Sequence, residues 1–174
     1  MDESAMVKKE ATGSKLLQIV GWIGGFALGK YSGINLIIPA LTTGGVWWSA
    51  KRILGAEKQL IVPALSVNAG HFLWLGLGLV LTGDFSVAGD LLVYAIGLFW
   101  LVKKPRPGPL YLLGAYQAIS LVVNSVAFID AAVGSAAHKA LLIHVVWRIW
   151  ALFLLTKLYL TIRRNVPQED AAAP

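Results

Sequence analysis

The chain has 174 residues, of which 57% are hydrophobic and 14% are charged, and the apolar residues stand in long runs. This composition excludes an ordinary soluble domain and is typical of a chain whose solvent is lipid. The absence of cysteine excludes disulfides, thiolate metal sites and cysteine nucleophiles. The net charge of +6 has to be judged from where Lys and Arg lie along the chain.

Six apolar runs are candidates for membrane-spanning helices, because a helix needs about 20 apolar residues to cross a bilayer. In chain order they are Leu16–Gly33, Ile34–Ala50, Leu60–Thr82, Val87–Val102, Leu110–Ala131 and His138–Ile162. The sequence therefore predicts an all-α bundle of six transmembrane helices that occupies residues 16–162. The remaining segments, residues 1–15 and 163–174, are polar and short, so we expect mobile ends on the cytoplasmic side.

The first predicted span carries a glycine at every fourth position, namely at Gly21, Gly25, Gly29 and Gly33. On a helix these positions form one stripe without side chains, against which another backbone can pack closely. The partner could be a helix of the same chain or a second subunit. The basic residues before this span resemble the start of a signal peptide, but acidic residues lie among them and five further spans follow. We therefore expect an uncleaved first helix.

The second and third spans begin with similar sequence segments, "NLIIPALTT" from Asn35 and "QLIVPALSV" from Gln59. Pro39 and Pro63 lie near the two helix starts, where a missing backbone N–H is least costly. Shared helix-start chemistry is the simpler explanation in a chain of such biased composition. An internal duplication of inverted topology, as found in many transporters, is the alternative.

The distribution of basic residues predicts the orientation of the bundle. Two basic residues, Lys30 and Lys139, lie at one set of helix ends, and Arg148 lies inside the last span. The other twelve lie at the opposite ends, at Lys8, Lys9, Lys15, Lys51, Arg52, Lys58, Lys103, Lys104, Arg106, Lys157, Arg163 and Arg164. By the positive-inside rule those ends, and with them both termini, face the cytoplasm. The basic loops should also attract anionic lipid headgroups.

Polar side chains inside the spans are the best indication of function in a chain without motifs, because they are expensive in lipid. Counted down from the extracellular helix ends, several helices place such groups in the outer half of the bilayer. This clustering predicts a polar cavity that is open to the extracellular side. The predicted ligand-binding residues are Asp90, Tyr94, Asn124, His144, Arg148 and His71.

Each of these residues also has a structural interpretation. Arg148 could pair with Asp90 in an internal tie, and the histidines could bond to adjacent helices. Asn124 and Gln117 could form interhelical hydrogen bonds worth about 1 kcal/mol or less. The set as a whole favours a functional site, because helix packing alone seldom needs a full charge in the middle of the membrane.

The leading hypothesis is an integral membrane protein that binds or transports a small solute or ion, with Arg148 favouring an anion unless Asp90 neutralises it. One alternative is an accessory subunit of a larger membrane complex, docked through the glycine stripe. Another is an electron-transfer protein with a b-type haem held by His71 and His144.

The sequence suggests neither an enzyme nor a nucleic-acid partner. It lacks the sequence patterns of phosphate-binding loops, zinc proteases and serine hydrolases. We expect no metal and no cofactor other than the haem of that alternative. The expected partners are the bilayer and its anionic lipids, with a homo-oligomer or a membrane complex as further options. The expected location is a plasma membrane or a bacterial inner membrane.

Overall fold

The computed structural model describes residues 37–165. Within this range 91% of the residues are helical and no strand occurs. The five α-helices are α1 (Ile37–Ile53), α2 (Val62–Thr82), α3 (Ala88–Lys103), α4 (Pro107–Asp130) and α5 (Ala136–Asn165), and short 3₁₀ helices precede α2 and α3. The glycine stripe of the first predicted span lies outside the described residues.

Four helical segments of the described chain are long and apolar enough to cross a membrane. They are Ala56–Thr82, Phe85–Lys103, Pro107–Asp130 and Ala136–Arg164. These four correspond to the third to sixth predicted spans, with ends that differ by a few residues. The second predicted span corresponds to α1, which begins at the first described residue and of which 17 residues are described. The protein is thus all-helical where it is described, and its helices indicate a membrane-embedded chain.

Local sequence explains where the helices begin and end. Pro63 lies in the first turn of α2, where its missing N–H leaves no helical bond unmade. Gly83 ends that helix in the left-handed region, with φ of 67°, and its N–H donates to the Leu79 carbonyl at 2.8 Å. Asp84 then starts the next turn by accepting a bond from the Ser86 N–H at 2.9 Å, and this bond lowers the pKa of its carboxyl.

The four long helices form a closed ring in which α2 packs on α3, α3 on α4, α4 on α5, and α5 back on α2. The short connections make consecutive helices antiparallel. Gly97 of α3 allows a close approach, since a Cβ there would lie 2.7 Å from Cγ of Leu113 in α4. Gly70 of α2 does the same for α1, where a Cβ would lie 2.7 Å from the Thr43 Cα. Such contacts act through dispersion, because lipid is as apolar as leucine.

The interior of the ring differs between its two ends. The start of α2, the end of α3, the start of α4 and the end of α5 enclose an apolar core, whose members include Leu65, Leu98, Leu101, Leu113 and Leu155. These helix ends carry the basic residues that predict the cytoplasmic side. Beyond this core, towards the opposite ends, the interior becomes polar. The outer surface of the ring is apolar, as at Phe99 and Val122, which are exposed by about two thirds.

A buried polar cluster as the candidate functional site

Six polar side chains from four helices meet inside the ring. We call them the polar cluster: Asn68 and His71 of α2, Tyr94 of α3, Gln117 of α4, and His144 and Arg148 of α5. The two residues from α2 and the two from α5 are three and four positions apart, so each pair lies on one helix face. Five of the six are buried and His144 is half-buried.

Gln117 is the centre of the cluster and has no exposed surface. Its Nε2 donates to Oδ1 of Asn68 at 2.8 Å and to the hydroxyl of Tyr94 at 2.7 Å. Its Oε1 accepts a bond from Nη1 of Arg148 at 3.0 Å. Asn68 in turn donates from Nδ2 to the Ala64 carbonyl at 2.8 Å. One amide therefore joins α2, α3 and α5 to α4 through three hydrogen bonds.

Tyr94, His71 and His144 continue the network as a chain. The Tyr94 hydroxyl lies 2.9 Å from Nδ1 of His71, and Nε2 of His71 lies 3.2 Å from Nδ1 of His144. Because the Tyr94 oxygen already accepts from Gln117, its own proton is free to donate to His71. We assign the His71 proton to Nε2 on this basis, so that it points at Nδ1 of His144. With this direction every proton of the chain has an acceptor, apart from the proton on Nε2 of His144.

Two tryptophans fix the position of His144 and of the helix α5 that carries it. Trp74 stacks on His144, with ring centroids 4.6 Å apart and an angle of 11° between the planes. Trp147 donates from its indole N–H to the Val67 carbonyl at 3.3 Å, which fixes α5 against α2. The imidazole of His144 thus has one face covered and its edge directed at His71.

Arg148 is a buried cation with few partners. Only 3% of its surface is exposed. Its guanidinium donates one bond to Gln117 and lies 5.3 Å from the ring centroid of Tyr116. Its Nε is buried without a hydrogen-bond partner, and so is the hydroxyl of Tyr116. Two adjacent donors inside the membrane domain are therefore left unmatched.

The proposed tie between Arg148 and Asp90 does not form. Between residues 37 and 165, no carboxylate lies within ion-pair distance of the guanidinium. Asp90 is half-buried one turn before Tyr94. Its carboxylate acts on the Tyr116 hydroxyl electrostatically and through a weak side-chain hydrogen-bond interaction, and it acts on His144 electrostatically. Arg148 acts on the same two groups with the opposite sign. The charges thus flank one site without closing on each other.

No family model, curated protein or solved structure matches this chain. Its function is therefore inferred from its own side chains.

The structure brings together four of the six predicted ligand-binding residues, namely His71, Tyr94, His144 and Arg148. Asp90 lies beside them. Asn124 lies two turns along α4 from Gln117, and its side chain makes no hydrogen bond within the described range. The role of all six residues in ligand binding remains a prediction.

The haem alternative requires His71 and His144 to ligate one iron from opposite sides. Their rings instead bond directly to each other, with centroids 5.3 Å apart. A porphyrin would have to separate the two rings and break the bond between Nε2 and Nδ1. The packing of the polar cluster therefore does not fit this alternative as it stands.

Sequence reasoning left out four residues of the site. Asn68 and Gln117 stand out as amides within spans, but the sequence favours a role in helix packing for Gln117 and assigns no role to Asn68. Tyr116 and Trp74 were not considered. The signal for Tyr116 is a hydroxyl in the middle of an apolar run, next to an amide. Nothing in the sequence shows that the plane of Trp74 covers His144.

Proposed function

We propose that this protein binds or transports a small carboxylate-bearing solute at a polar site in the outer half of the bilayer. Arg148 provides the charge that selects an anion, and Tyr116 provides a second donor. His71, Tyr94 and His144 form the adjoining wall. The following observations support this assignment.

The observation that carries the proposal is the unmatched Nε–H of Arg148, beside a Tyr116 hydroxyl that makes no well-formed hydrogen bond and interacts only weakly with Asp90 and Arg148. A buried donor without a partner costs about 1–3 kcal/mol, and more when it is charged. An isolated cation in the membrane interior is more expensive still. A carboxylate between these two groups would accept both bonds and neutralise the guanidinium. The arrangement is thus complementary to an anion.

Charge balance favours a ligand over an internal partner. Asp90 is the one acidic residue inside the predicted spans, apart from those at their ends. It acts on the site from its edge, yet Arg148 does not bond to it. An arginine with a purely structural role would form an ion pair with the Asp90 carboxylate, because a buried charge is retained at low cost only when it is paired.

The apolar core closes the site towards the basic helix ends, so a solute would enter from the other side. Two shallow apolar grooves occur on the described surface, one near Leu41 and Leu73 and one near Ile96 and Phe99. Neither includes a member of the polar cluster. Because only 3% of the surface of Arg148 is exposed, entry of a solute requires side chains of the cluster to move apart.

The proposal predicts that small carboxylates stabilise the purified protein. Thermal unfolding in a mild detergent should be followed while potassium butyrate is added, with potassium chloride at equal ionic strength as the reference. Butyrate at 100 times its dissociation constant would stabilise the folded state by about 2.7 kcal/mol. We expect this stabilisation in the natural protein and its loss in Arg148→Gln, which retains a hydrogen-bonding group without the charge.

Lys139→Gln is the matched control, because Lys139 is a cation of the same helix that makes no side-chain bond in the described structure. It should retain the response to butyrate. An equal response of the natural protein and Arg148→Gln would overturn the proposal.

The finer topology belongs to the same proposal: six spans, with both termini in the cytoplasm of a plasma membrane or bacterial inner membrane. Reporter fusions after Arg52, after Arg106 and at the C-terminus should report the cytoplasm. Fusions at Asp84 and Ser135 should report the outside. A cytoplasmic Ser135 would contradict six spans with this orientation.

Anionic lipids are the proposed partners of the basic helix ends. Lys51 lies 4.1 Å from the ring centroid of Trp47, and the Arg52 guanidinium lies 3.7 Å from that of Trp48. Such aromatic and basic pairs are typical of helix ends at the headgroup level. A homo-oligomer or a complex partner is a further option, and nucleic acid is not expected.

A further inference from the structure

We propose that each carboxylate binds together with one proton, which the chain Tyr94–His71–His144 carries away from the carboxylate and stores on His144. This inference rests on the proposed function and adds its coupling ion. It stands on the geometry of one continuous chain of hydrogen bonds, with links of 2.9 and 3.2 Å. The chain begins beside Arg148 and Gln117 and ends at the outer nitrogen of His144.

The first reason is the direction of the chain. Gln117 donates to the Tyr94 oxygen, so the Tyr94 proton points at His71 and the His71 proton points at His144. A carboxylic acid that reaches the Tyr94 oxygen can donate its proton there. The Tyr94 proton then moves to Nδ1 of His71, and the His71 proton moves from Nε2 to Nδ1 of His144.

This step balances in atoms and in charge. The acid becomes a carboxylate, and His144 becomes an imidazolium with protons on both nitrogens. Tyr94 and His71 remain neutral, but their hydrogen bonds have reversed direction. The Tyr94 hydroxyl now points away from His71 and donates to the carboxylate, which the guanidinium of Arg148 also binds. Protonation of His144 therefore creates a donor for the anion.

The second reason is the charge that surrounds the pair of histidines. The groups that face it are Trp74 from α2, Asp90 and Tyr94 from α3, Tyr116 and Gln117 from α4, and Arg148 from α5. Their two full charges, on Asp90 and Arg148, are opposite but do not bond to each other. A carboxylate that pairs with Arg148 would leave the charge of Asp90 without a counter-charge, whereas a carboxylate with one proton on His144 leaves the group neutral.

The third reason is that the proton stored on His144 has a route out of the cluster. The Nε2 of His144 has no hydrogen-bond partner in the described part of the chain, and it is not among the enclosed atoms that lack one. His144 itself is half-buried, whereas His71 is 1% exposed. A stored proton can thus leave from the outermost nitrogen of the chain. Histidine suits this role because an imidazole can carry a proton on either ring nitrogen or on both.

The test is the number of protons taken up when potassium butyrate binds, measured by titration calorimetry in buffers of different ionisation enthalpy near pH 7. We expect about one proton per butyrate in the natural protein. The apparent dissociation constant should rise about tenfold per pH unit, as linkage to one proton requires. His144→Gln and Tyr94→Phe should abolish the uptake, because each interrupts the chain.

His138→Gln is the matched control, since His138 lies on the same helix, stacks on Phe128 at 4.2 Å and makes no side-chain bond to the chain. It should take up one proton like the natural protein. Butyrate binding without proton uptake in the natural protein would overturn this inference and leave the proposed function intact. Uptake that persists in His144→Gln would also overturn it. Absence of butyrate binding would overturn both.

Discussion

Replacing Gln117 with Met is expected to lower the free energy of unfolding by about 3 kcal/mol, the largest loss among the polar side chains of the bundle. The change retains the length of the side chain and removes three buried hydrogen bonds. Such bonds contribute about 0.6–1 kcal/mol each in membranes. The loss is larger here because Arg148 then keeps no hydrogen bond within residues 37–165. Reversible unfolding in mixed micelles of mild and denaturing detergent measures this difference.

Asn124→Leu is the matched control for Gln117→Met. Both residues are amides of α4, seven positions apart, but Asn124 makes no hydrogen bond to the described chain. Its replacement should change the free energy of unfolding by less than about 0.5 kcal/mol. Equal losses at the two positions would show that Gln117 contributes through its packing, and not through its bonds.

The helices were predictable because one physical length governs them. The hydrocarbon thickness of the bilayer sets how many apolar residues a crossing needs, and the four long helices of the structure match four predicted spans. The helix starts at Pro63 and Pro107 follow from the missing N–H of proline. The remaining two spans stay predictions, because the first lies outside the described residues and the second lies only partly within them.

The members of the site were predictable in part. His71, Tyr94, His144 and Arg148 stand out because a polar group in an apolar run is expensive, whatever the fold. Their partners were not predictable, since these depend on how each helix is rotated about its axis. Gln117 and Asn124 share a face of α4, yet only Gln117 lies level with Arg148 and Tyr94. A shift of α4 by two helical turns would bring Asn124 to the level that Gln117 occupies.

The same limit applies to the pairing of charges. Arg148 and Asp90 are an obvious ion pair in the sequence, because each is a charged residue in a predicted span. In the structure Arg148 bonds to a neutral amide, and its Nε is unmatched. Opposite charge alone does not fix a contact, since geometry and desolvation decide whether a buried pair forms.

Replacing Arg148 with Met is expected to raise the free energy of unfolding by up to about 3 kcal/mol, while it abolishes the response to carboxylates. A buried ionic group can often be replaced by an apolar side chain of similar volume with a gain of about 1–4 kcal/mol. The gain is reduced by about 1 kcal/mol, because Oε1 of Gln117 loses its donor. A residue that destabilises its own fold indicates selection for function.

Arg148→Met and Gln117→Met should therefore change stability in opposite directions, although the two side chains bond to each other. In the Arg148→Met background, Gln117→Met should lower the free energy of unfolding by less than it does in the natural protein, because no buried cation then loses its hydrogen bond. Unfolding in mixed micelles measures all four proteins without knowledge of the solute. A loss in Arg148→Met as large as that in Gln117→Met would mean that the guanidinium is fully compensated in the folded protein. Arg148 would then be a structural residue, and the anion site would have to be abandoned.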